Sequence, residues 1–184
     1  TSDSKFIEET MVNGNVAVQY SPGDTVVCNL ASINVAKVHT DKDMAEVIPV
    51  ALRVLDNVIT LNFYPIKEAE LTARKYRSIG LGFMGLAEYL ACSGLNYDTA
   101  EARVRVDALF EKYAYATLKA SNGLAQERGA YELFPGSEWS KGILFGHDAP
   151  WFKENSQTPD DWARLIEDIK KTGVRFSYHL APAP

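Results

Sequence analysis

The chain has 184 residues, enough for one domain with a sizeable core. Its composition, 46% hydrophobic and 23% charged, is that of a soluble globular protein, and a net charge of -5 leaves no basic footprint for nucleic acid and no membrane-spanning run. The two cysteines, Cys28 and Cys92, lie far apart and outside any metal-ligand spacing, which suits a reducing compartment, the cytoplasm, better than a disulfide scaffold.

Asn13-Gly14 between short β-prone runs over 8–20 predicts a hairpin, because Asn-Gly supports the positive φ angles of a tight type I′ turn. Pro22-Gly23-Asp24 then makes a turn, and "TVVCNLASINV" over 25–35 predicts a mostly apolar strand containing Cys28. Asp41 or Asp43 is the expected cap of a long helix to about residue 62, which Pro49 bends or delays. A short helix is expected over 67–76, and a second, headed by glycines, from about 81 to 92, ended by Gly94. Asp98 or Thr99 caps the next, which runs to Arg128 and stops at Gly129. Residues 130–157 read as irregular. The last helix is well marked: Thr158 as cap, Pro159 at the first position, Asp160 and Asp161 at the positive end of the dipole, and a stripe of Trp162, Leu165, Ile166 and Ile169. After Gly173, "VRFSYHLA" over 174–181 alternates like a strand. The strands are few and expected to lack partners within these residues. The chain opens on Thr1 and closes on "HLAPAP", an apolar run without charge, which points to a piece of a longer polypeptide.

Gly80-x-Gly82-x-x-Gly85 has the spacing of a dinucleotide-binding loop. Such a loop needs a buried strand before it, and "KEAELTARKYR" over 67–77 is charged and helix-prone. The structural reading, glycines that allow close packing, is therefore preferred over a nicotinamide-dependent dehydrogenase, which requires a strand at 72–79. His39, His147 and His179 are scattered, with no carboxylate or Cys at ligand spacing, so no metal site is assigned. Asp160-Asp161 and Lys170-Lys171 read as complements to helix ends. A free Cys in an apolar strand is ordinarily a small buried hydrophobe, so Cys28 alone leaves both a structural and a redox role open.

A family resemblance separates these readings. "VVCNLASINVAKV" at 26–38 resembles a segment of the large catalytic subunit of ribonucleotide reductase. "ALRVLDNVITLNFYPI" at 51–66, "RSIGLGFMGLAEYLACSG" at 77–94, "KASNGLAQERGA" at 119–130, "SKGIL" at 140–144 and "DWARLIEDIKKTGVRFSYHLAPAP" at 161–184 look like successive blocks of the same family. The resemblance implies an α/β fold: one segment, 1–184, of a ten-stranded barrel, mostly helical here. It implies reduction of ribonucleotides by thiyl-radical chemistry. By position in its block, Cys28 resembles one of the two reducing thiols, Leu30 a substrate-pocket residue, and Pro184 the first residue of the loop that binds substrate phosphates. The family's Asn-Leu-Cys-x-Glu motif, its second reducing Cys and its radical-relay tyrosines are absent, so activity is expected to need flanking segments. The implied partners are those segments, a radical-generating small subunit with a di-metal site (or adenosylcobalamin in its place), thioredoxin or glutaredoxin as dithiol reductant, and the ribonucleotide, with no cofactor held by this segment. The competing readings are the dehydrogenase and a non-catalytic helical interaction module.

Overall fold

A computed structural model describes residues 7–8, 19–20, 23–27, 29–144 and 150–181. Strands β1 (Ile7–Glu8) and β2 (Gln19–Tyr20) pair antiparallel, with Ile7 opposite Tyr20 and Glu8 opposite Gln19. That register is centred between positions 13 and 14, as the hairpin reading requires; Asn13-Gly14 itself lies outside the described residues.

The expected strand over 25–35 is realised as β3 (Leu30–Asn34). Helix α1 (Asp41–Leu61) follows, and its cap is Thr40 rather than either aspartate. Thr40 Oγ1 accepts from the Asp43 backbone N at 3.1 Å, while Asp43 Oδ2 accepts from the Thr40 backbone N at 3.3 Å, a reciprocal capping box. Met44, Ile48, Leu52, Leu55 and Ile59 recur at helical spacing and form its buried stripe. Pro49 sits inside α1 without ending it, because burial of that stripe offsets the backbone bond that proline removes.

Helix α2 (Lys67–Tyr76) lies where expected and ends on Arg77. Arg77, at φ 48, is the one non-glycine residue with positive φ among the described residues. Residues Gly80–Met84 form strand β4, not the start of a helix, and α3 (Leu86–Cys92) begins only after Gly85, whose φ of 79 turns the chain. Strand β4 runs parallel to β3, Leu30 beside Gly80 and Asn34 beside Met84, so β3 does find a partner within this chain. Parallel pairing of β3 with β4 through the intervening α1 and α2 is an α/β arrangement, the class the family resemblance implies.

Helix α4 (Ala100–Arg128) is capped by Thr99, whose Oγ1 accepts from the Ala102 backbone N at 3.2 Å, and it ends at Gly129. It packs against both α1 and α6 (Pro159–Thr172), so its buried residues, among them Leu109, Tyr113, Leu118 and Leu124, are spread around it rather than along one stripe. Between α4 and α6 lie a short 3-10 turn, Trp139–Lys141, and α5 (Pro150–Asn155). Thr158 occupies the cap position of α6, but its side chain makes no capping hydrogen bond. That end is held instead by Glu111 of α4, which accepts from Gln157 N at 3.0 Å and Trp162 Nε1 at 3.1 Å.

The predicted strand over 174–181 is only partly formed. Ile79 N donates to Tyr178 O at 3.1 Å and Leu81 N to His179 O at 2.8 Å, and Leu81 bridges Leu180 in parallel. Donors two residues apart meet adjacent acceptors, so the ladder slips by one residue there, as at a bulge. Since Gly80 N donates to Asn29 O at 2.9 Å on the other side, β4 is the middle of three parallel segments. No helix among the described residues is long and apolar enough to cross a membrane.

Candidate functional site

Alternation along a strand divides this small sheet into two unlike faces. Ile33 (6% exposed) and Leu81 (1%) point into the core, against the helices. Tyr113 of α4 fixes the sheet to that layer by donating its buried hydroxyl to Gly82 O at 2.7 Å. The opposite face carries Leu30, Ser32 and Met84 over the bare backbones of Gly80 and Gly82. Leu30 is 60% exposed and Met84 55%, and Val26 and Val27 are exposed just before β3. The central strand contributes no side chain to this face at Gly80 or Gly82, both of which are buried, and at Gly80 the space is taken up by Leu30 and Ala181.

Of the residues singled out in the sequence, Leu30 stands on this open face. A Cβ placed on Gly80 would lie 2.5 Å from Leu30 Cδ2 and 2.8 Å from Ala181 Cβ, so these three residues come together. Cys28 and Pro184 lie outside the described residues. Cys92 is exposed at the end of α3. The dehydrogenase reading is overturned: residues 67–76 are helical where it requires a strand, and Gly80 and Gly82 are inside β4. No group of three or more His, Cys, Asp or Glu side chains suited to a metal occurs among the described residues.

His179 is fully buried, with Nε2 2.7 Å from Ser121 Oγ and its ring edge-on to Trp139. Burial pushes its pKa down to about 3, so it is neutral at pH 7. His39 packs its ring 5.4 Å from that of Tyr89, and His147 lies outside the described residues.

A buried ionic junction escaped the sequence reading. The Asp56 carboxylate of α1, 1% exposed, accepts from Arg77 Nε at 3.0 Å and Nη2 at 2.6 Å, from Arg175 Nε at 2.7 Å and from Arg128 Nη1 at 2.7 Å. Burial alone would raise its pKa. Hydrogen bonds from Arg175 and Arg128, with the charge of Arg77, outweigh that and hold it below the ordinary carboxylate value. Arg77 is drawn the other way, its pKa lowered by burial despite the Asp56 charge, and it remains a cation. Arg77 immediately precedes the segment that becomes β4, and Arg175 precedes the segment that pairs with it. One carboxylate thus fixes where both enter the sheet. The left-handed backbone of Arg77 costs roughly 1–2 kcal/mol, and these contacts hold it in place. No local pattern announces this junction: its members are brought together only by the fold.

The ribonucleotide reductase barrel-domain family model matches residues 9–184. The chain is 41% identical over 173 residues to the ribonucleoside-diphosphate reductase subunit alpha of Helicobacter pylori, an alignment covering 88% of this chain and 21% of that protein. It is 43% identical over 166 residues to the subunit alpha of Synechocystis, covering 89% and 21%. For Treponema pallidum the figures are 40% over 182 residues, covering 97% and 21%. The chain therefore spans about a fifth of the length of the curated relatives it matches.

Proposed function

Because the chain belongs to the ribonucleotide reductase barrel-domain family, we propose that it works as one segment of the catalytic subunit of a ribonucleoside-diphosphate reductase. The whole of 1–184 forms part of the barrel wall, and the remaining strands of the ten come from the rest of the subunit. The observation that carries this reading is the open face of the β3–β4 sheet. Gly80 and Gly82 put no side chain on it, and it exposes Leu30, two positions beyond Cys28. A sheet layered by helices on one side, with Leu30 and Met84 exposed on the other, suits a barrel wall whose inner face meets the remainder.

In this reading the 2′-hydroxyl of the ribonucleotide leaves as water. A thiyl radical supplied by the rest of the subunit activates the sugar, and Cys28 with a second thiol from a neighbouring strand supplies two electrons and two protons. The two sulfurs become a disulfide, which requires their Cβ atoms to lie about 4 Å apart. Cys28 takes this role by its position in the family block, two residues before Leu30. Leu30 contacts the substrate, and Pro184 begins the phosphate loop. A dithiol protein, thioredoxin or glutaredoxin, reduces the disulfide after each turnover, in the cytoplasm. The radical comes from a small subunit with a di-metal site, or from adenosylcobalamin. Ribonucleoside diphosphate is favoured as substrate by the names of the relatives.

The test uses the complete subunit with its radical generator. Cys28→Ser is expected to abolish multiple turnovers with a dithiol reductant, and Cys92→Ser to leave them. Equal losses would remove Cys28 from its role. Turnover by the 184-residue chain alone would refute its dependence on the other segments.

A further inference from the structure

We propose that Gly80 is a positioning residue for the substrate: its missing side chain is the slot that sets where Leu30 lies on the open face and how closely Ala181 approaches it. The proposal rests on the reading that this face receives the ribonucleotide.

Gly80 is not among the described glycines with positive φ, so its backbone accepts any L residue, and the requirement is one of space. A methyl there would lie 2.5 Å from Leu30 Cδ2 and 2.8 Å from Ala181 Cβ, far inside the 3.5–4.0 Å of a good carbon contact. The backbone cannot retreat to relieve this. Gly80 N is bonded to Asn29 O at 2.9 Å on one side, and Ile79 N and Leu81 N are bonded to Tyr178 O and His179 O on the other. The strain therefore passes to the neighbours. Leu30, 60% exposed, has little packing above it to fix its rotamer, so the bare Cα beneath it decides where the side chain rests. Ala181 follows directly on Leu180, which bridges Leu81, so displacing it shifts that bridge. Both effects move binding groups without touching a reacting atom.

The experiment measures KM and kcat for a ribonucleoside diphosphate in the complete catalytic subunit with its radical generator. Gly80→Ala is expected to raise KM about tenfold or more with kcat changed less than about threefold, since misplacing a binding group by about 1 Å has effects of this order. Leu30→Ala removes the atoms nearest the new methyl. Gly80→Ala added to Leu30→Ala keeps only the Ala181 contact and is therefore expected to raise KM by a clearly smaller factor than Gly80→Ala does in the parent, the non-additivity of residues in contact. A KM within about twofold of the parent in a folded Gly80→Ala subunit overturns the proposal, as does a double variant in which the two effects multiply. Should Gly80→Ala not be recovered folded, it is made together with Ala181→Gly, which removes the second contact, and compared with Ala181→Gly alone. A rise in KM supports the role of Gly80, and an unchanged KM overturns it. A parent subunit that does not turn over ribonucleoside diphosphate sinks the underlying reading; a parent that does, with an indifferent Gly80→Ala, sinks only this one.

Discussion

Asp56→Asn tests the buried junction directly. The substitution preserves shape and removes one negative charge from among three guanidiniums, two of which are well sequestered, with side chains 8% exposed at Arg77 and 13% at Arg175. A close ion pair at an effective dielectric of 20 is worth about 4 kcal/mol in Coulomb energy. Three partners multiply that, but the burial cost of Asp56 disappears with its charge and the asparagine oxygen still accepts from Arg77 or Arg175. Breaking a buried pair by removing one member costs about 3–5 kcal/mol, which is the loss expected here. With a urea slope of about 2 kcal/mol/M, the midpoint falls by roughly 2 M. Equilibrium unfolding followed by far-UV circular dichroism reads both midpoint and slope. Because the folded pKa of Asp56 is depressed, its contribution is complete above the unfolded pKa and is lost as pH falls through the folded one. The difference between parent and Asp56→Asn should therefore narrow in acid. A loss under about 1 kcal/mol near neutral pH, or a difference that grows in acid, would refute the reasoning. Arg53, whose exposed pair with Glu127 lies close by, serves as the control, and Arg53→Ala should move the midpoint far less.

Acid should also act through His179. Its pKa falls from the ordinary 6.5 to about 3 on burial, so in that window the unfolded chain binds a proton that the folded chain refuses. Stability then drops by about 1.4 kcal/mol per pH unit below 6.5. Thermal midpoints from pH 7 to 4 should show a shallower slope in His179→Gln, and an identical slope would exclude the histidine as the cause. Two glycine substitutions should have opposite signs. Gly85→Ala meets both a φ of 79 and a clash of the new Cβ with Asn34 Oδ1, and should cost at least about 1–3 kcal/mol in urea unfolding. Gly123→Ala, in the interior of α4 with open space around the new methyl, should stabilise by about 0.5–1 kcal/mol.

The elements legible in the sequence were those whose physics is local. Helices α1, α4 and α6 each carry an apolar repeat or a capping residue, with Pro65 soon after α1 and glycine at the ends of α4 and α6. The choice of Thr40 over Asp41 or Asp43 was not legible, since threonine and aspartate both cap helices and only the bond to the Asp43 N distinguishes them. Strand β4 was missed because "GLGFM" contains two glycines, which weaken strands; it is held by β3 on one side and residues 178–181 on the other, neither adjacent in sequence. The same blindness hid the pairing of β3. The strand at 174–181 alternates correctly in sequence, but the slip at Tyr178 and His179 leaves one bridge. Leu30 was singled out by its place in a family block, and its exposure on β3 became visible only with the fold. The slot at Gly80 did not follow, because it depends on how closely Leu30 and Ala181 approach a backbone far from both in sequence.

The junction at Asp56 has a bearing on synthesis by the ribosome. Its last arginine comes 119 residues after the aspartate. During translation the carboxylate emerges early, and its set of cations is complete only once nearly all of these residues have been made. Until then α1 has an anion on its inward side with part of its countercharge missing, which discourages it from settling prematurely against the nascent helices. The closing arginine acts as a late latch: docking of the sheet and docking of the long helices are completed together, near the end of the segment's emergence.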